Sequence, residues 1–76
     1  MNAVRRKKLL RVVSLLTEAE AILEQCAEEE RDAYDNLPES LQLSERGERM
    51  DEIADELADR GLELTEVREN LEEAAE

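Results

Sequence analysis

A chain of 76 residues with one Tyr, no Phe, no Trp, two Gly and one Pro has neither the aromatic bulk nor the turn residues of a β-sandwich or barrel, so its core must be aliphatic. Its net charge of −12 disfavours direct binding to nucleic acid, because polyanion would meet polyanion. The absence of His removes the commonest general base and a common metal ligand.

The charge is unevenly placed. Arg5, Arg6, Lys7, Lys8 and Arg11 stand before Thr17 with no acid among them, and all 22 acids follow it. Arg5, Arg6, Lys7 and Lys8 are the candidate contacts for an anion, although a basic helix terminus is more often simply solvated. The apolar run Leu9–Leu16 behind them is cut by Arg11 and is too short for a signal peptide or a membrane span. Cys26 is the only cysteine, so no intramolecular disulfide can form and a reducing compartment fits. The expectation is a cytoplasmic protein without a membrane partner.

A first helix is predicted over residues 3–36. Leu9, Val12, Leu16, Ala19, Leu23, Cys26, Ala33 and Leu37 recur at the three-four spacing of a coiled-coil seam, with Glu30 out of place. Val13, Leu15, Ile22, Ala27 and Tyr34 widen that stripe beyond what one neighbouring helix covers. On this seam Cys26 is expected as a buried, inert thiol rather than a nucleophile. Residues 37–43 are predicted as a turn. Pro38 removes a backbone donor and pushes Leu37 out of the helical region, while Asp35 and Asn36 favour a stop. Ser40 or Ser44 then caps the next helix.

The second helix is predicted over 44–75. Met50, Leu57, Leu64 and Leu71 fall seven apart, with Ile53, Val67 and Ala74 between them and Arg60 as the charged intruder. Gly61 weakens the helix by roughly 1 kcal/mol relative to Ala, yet the leucine phase is kept across it, which favours continuity. Asp51, Asp55, Asp59, Glu63 and Glu66 form the candidate acidic partner-binding face; acids at helical spacing do not converge as a calcium loop does.

These elements predict one all-α domain over 1–76, a coiled-coil-like antiparallel two-helix hairpin. Folding back would set the basic start beside Glu66, Glu69, Glu72, Glu73 and Glu76, a weakly attractive arrangement that selects antiparallel over parallel. Two helices without aromatic residues or disulfides bury too little to stand alone. The expectation is therefore a homodimer, a four-helix bundle with the first helix central and an interface at Leu9, Val12, Val13, Leu15, Leu16, Ile22, Leu23 and Cys26.

The segment Tyr34-Asp-Asn-Leu-Pro-Glu-Ser-Leu-Gln42, with Ser44-Glu45-Arg46-Gly47 and an acidic heptad helix ending Leu71-Glu72-Glu73-Ala74, resembles a group of short acidic helical proteins of phage, prophage and bacterial genomes. The resemblance covers mainly residues 30–76. It carries no function of its own and implies only a mobile-element context, with action against a host system. The chain departs from the group in its sparser base-rich start and in Gly61.

No catalytic pattern emerges. Cys26 lacks an imidazole partner, the serines have no triad to join, and there is no phosphate loop or paired-cysteine zinc motif. The reading is a non-enzymatic interaction protein without cofactor or metal. One partner class is a protein bound through apolar contacts such as Leu10 and Leu62. Another is a basic nucleic-acid-binding protein whose groove takes the acidic helices in place of DNA. A weaker third reading is a sponge for anionic nucleotides at the basic tip.

Overall fold

The computed structural model describes residues 1–76 and contains three helices, α1 (Ala3–Asp35), α2 (Glu39–Gln42) and α3 (Glu45–Ala74). Asn2, in extended conformation, caps α1 by accepting from the Arg5 N–H at 2.8 Å. At the other end Asn36 N donates to the Asp32 carbonyl and Leu37 N to the Tyr34 carbonyl, both at 3.0 Å, before Pro38 stops the helix.

The stretch expected as a turn holds the short helix α2. Pro38 lies in extended backbone as its N-cap, and its carbonyl accepts from Leu41 N at 2.8 Å and Gln42 N at 3.0 Å. The proline that breaks α1 thus starts the next turn of helix, its fixed φ suiting that place. Gln42 closes the corner by donating from Nε2 to the Tyr34 carbonyl at 3.1 Å, a second bond to the acceptor that Leu37 N already reaches. Ser44 caps α3, its Oγ accepting from Gly47 N at 3.2 Å and donating to the Leu41 carbonyl. α3 then runs unbroken through Gly61.

α3 returns along α1 in antiparallel sense: Arg31 reaches Asp51 near the corner, Leu23 lies against Gly61, and Glu20 meets Arg68 further out. The result is a rod of 58 × 14 × 13 Å with a radius of gyration of 17.2 Å, where a compact domain of this length would have about 11 Å.

The half-buried residues at alternating three-four spacing are Arg6, Leu9, Val13, Leu16, Glu20, Leu23, Ala27, Glu30 and Tyr34 of α1, with Leu37 just past its end. At the same spacing α3 carries Gly47, Met50, Ala54, Leu57, Gly61, Leu64, Arg68 and Leu71, followed by its C-cap Ala75. The leucine rows are those expected, but the row beside each is not. Val12, Cys26 and Ala33 face solvent, as do Arg60, Val67 and Ala74. The expectation that Cys26 is buried is corrected, since its thiol is exposed. The cause is the small size of that row: Ala54, Gly61 and Ala75 line it along α3, Gly47 lies under α2, and its one large pair is Glu20 with Arg68.

Only Gly47, Ala54 and Ala75 are buried, so no Leu, Ile, Val or Met is. The chain exposes 5731 Å². A compact monomer of 8.7 kDa would expose about 4,700 Å², which leaves an excess on the order of 1,000 Å².

Candidate functional site

The handedness of the hairpin decides which outward rows lie together. In an antiparallel pair the rows flanking the seam on one side come from corresponding heptad positions of the two helices. Arg31 on α1 bonds to Asp51 and Asp55 on α3, and Glu20, Glu24, Ala58 and Thr65 line a shallow groove on that same side. The opposite side is therefore shared by Val12, Ala19, Cys26 and Ala33 of α1 and Ile53, Arg60, Val67 and Ala74 of α3. Leu15 and Ile22 continue it around α1. Val12, Leu15 and Ile22 are 42%, 45% and 60% exposed. This apolar side, centred on α1, is the candidate site.

Of the eight residues expected at an oligomer interface, Val12, Leu15, Ile22 and Cys26 lie exposed on this face. Leu9, Leu16 and Leu23 sit at its inner edge, half-buried under α3. Val13 is turned into the hairpin seam and does not belong to the outward face. Exposed Leu10 and Leu62 lie on the polar side, with Leu62 lining the groove beside Glu20 and Glu24.

The polar side carries the ties between the helices. Arg68 Nε donates to Glu20 at 2.6 Å and its Nη1 to Glu72 at 2.8 Å, while the Thr65 hydroxyl donates to Glu20. The bond from Arg68, and then that from Thr65, holds the Glu20 carboxyl below the usual glutamate range. The same bond to Glu20, with that to Glu72, raises the Arg68 guanidinium. Near the corner Arg31 donates to Asp51 and, at 2.8 Å, to Asp55; it lies 5.5 Å from the Tyr34 ring centroid, and its pKa is raised, chiefly by Asp51. Spacing alone missed Glu20, Thr65, Arg68 and Arg31. The available signal was that Glu20 and Arg68 each stand seven residues from small or apolar neighbours in the row of smaller side chains.

The five acids of the expected face, Asp51, Asp55, Asp59, Glu63 and Glu66, span an arc of about a third of the α3 circumference but are engaged differently: the first two are bound by Arg31, Glu63 pairs with Arg60 at 3.4 Å, and Asp59 and Glu66 have no ion pair. No three acids converge as a metal site. The expected neutralisation at the open end is also absent, because none of Arg5, Arg6, Lys7, Lys8 or Arg11 forms an ion pair. With Leu23 packed against Gly61 and the long side chains of Glu20 and Arg68 reaching each other, the end of α3 lies opposite the stretch from Leu10 to Ser14. α1 thus overhangs it by roughly two to three turns. Of these bases only Arg6 is half-buried; its Nη2 donates to the Met1 carbonyl at 3.2 Å and its Nε is enclosed without a partner. Asn2, Val4, Arg5 and Lys8 line a shallow depression at the tip. No helix is long and apolar enough to cross a membrane.

Comparison with protein-family models, with curated proteins and with solved structures gave no match. The functional reading rests on the chain's own geometry.

Proposed function

We propose that this chain is a small non-enzymatic interaction protein that works as a homodimer, two hairpins joined through the outward face of α1 into a four-helix bundle that then binds a protein partner. One observation carries the reading: the hairpin buries no large aliphatic side chain and leaves Val12, Leu15 and Ile22 exposed in one stripe. The excess surface, on the order of 1,000 Å² per chain, compares with the roughly 800 Å² per partner that a standard protein interface removes from water. The acids on the remaining surface keep such an assembly soluble.

Within the mobile-element context that the turn segment suggests, the form proposed for the partner is a host protein that the dimer inhibits. Its engagement of Asp51 and Asp55 by Arg31 leaves the acidic helix less like an unneutralised phosphate row, which favours a mixed polar and apolar contact over mimicry of DNA. The dimer is tested by thermal melting followed by circular dichroism over a ~100-fold range of protein concentration. The melting temperature of the wild type rises with concentration, and that of Ile22→Asp is lower and flat. A concentration-independent melt of the wild type contradicts the reading.

A further inference from the structure

The outward stripe of α1 is patterned so that it complements itself in one orientation only. Resting on the homodimer reading, we infer that the occupant of this face is a second copy laid antiparallel along α1, with the two-fold axis passing near Ala19. In an antiparallel helix pair the numbers of facing residues add to a nearly constant sum, about 37 to 38 for a two-fold axis near Ala19, and rows seven apart stay in register.

Along the row Lys8, Leu15, Ile22 and Glu29, that arrangement sets Leu15 against the partner copy's Ile22 and Lys8 against the partner copy's Glu29. Along the neighbouring row it sets Val12 against the partner copy's Cys26 and Ala19 against its own equivalent, where the small side chain permits close approach. Arg5 falls beside the partner copy's Asp32. All the outward members of this set are exposed on the hairpin, Ala19 alone being half-buried.

The charges exclude the alternative. A parallel pair places Lys8 on Lys8, Arg5 on Arg5 and Glu29 on Glu29, and it gathers both runs from Glu28 to Glu30 at one end. Like charges directly opposed are unfavourable and select against that arrangement. The antiparallel pair instead supplies acids to a basic overhang that has none in its own chain. The unpaired bases and the uncovered apolar stripe are thus answered by a single partner.

Cysteine crosslinking reads the orientation, because a disulfide needs Cα atoms within about 4.4–6.8 Å. Wild-type protein, Val12→Cys, and Val12→Cys combined with Cys26→Ser are oxidised mildly and run on non-reducing gels, with the mass of each reduced sample measured by light scattering. Val12 is exposed, so its replacement leaves the hairpin seam intact. The expected result is a shift of Val12→Cys to covalent dimer through position 12 and Cys26 of the other copy, with wild type and the double variant staying at monomer mass on the gel. A wild type that crosslinks Cys26 to Cys26 while dimeric overturns the orientation, as does a dimer in which Val12→Cys fails to crosslink. A reduced wild type of monomer mass overturns the underlying dimer itself.

Discussion

Glu20 and Arg68 occupy seam positions that a coiled coil ordinarily fills with aliphatic side chains, and their pairing explains why the neighbouring rows and not the more apolar ones face inward. With 16% and 21% of their side-chain surfaces exposed, they are held between Val13 and Ala27 on one helix and Gly61 and Ala75 on the other. Only one axial alignment joins them, so the pair specifies register more than it adds stability. Because the folded-state pKa of Glu20 is lowered, the stability it contributes is fully present above the unfolded value of about 4.3 and is lost as pH falls through the lower folded value. Glu20→Gln is therefore destabilised relative to wild type at neutral pH, by a margin that shrinks below about pH 4.3. Urea denaturation of both proteins at equal concentration across that range checks this, the general relief of acid repulsion cancelling in the difference. An undiminished gap at low pH contradicts the role assigned to the charge.

At the scale of the elements, the two glycines of α3 have opposite functions. A Cβ on Gly47 would collide with the Leu41 and Gln42 carbonyls, whereas one on Gly61 would meet only the Leu23 Cβ at 4.0 Å. Gly47 is thus required by the tight approach of α2 to the first turn of α3, and Gly61 is not. Gly61→Ala should stabilise by about 1 kcal/mol through helix propensity, and Gly47→Ala should destabilise by roughly 1–3 kcal/mol through overpacking. Chemical denaturation at matched protein concentration measures both, and destabilisation by Gly61→Ala would show that close helix approach there matters more than propensity. The break at Pro38, a serine cap at position 40 or 44 and the leucine rows were legible in the sequence, because each depends on local backbone chemistry or a strict seven-residue spacing. The choice of flanking row was not. Hydrophobicity favoured Val12, Cys26, Ile53 and Val67, while the small side chains of Ala54 and Gly61 and the Glu20–Arg68 pair turned the other rows inward. The rows set aside are the ones left outward on the apolar side. The missing ion pairs at the open end have a similar origin, since the overhang of α1 depends on a register that single-helix patterns do not report.

For the whole molecule, a rod without a buried leucine lacks the core that small domains need to offset conformational entropy. Covering the α1 face with a second copy would add the missing apolar burial and give the overhanging bases their acids. The direct measurement is the mass of the wild-type protein by light scattering coupled to size exclusion, alongside Leu15→Glu and Ile22→Glu. Wild-type protein is predicted to elute at twice the chain mass of 8.7 kDa, with both variants shifted toward monomer. A wild type that stays at 8.7 kDa and fully helical at low micromolar concentration contradicts the account.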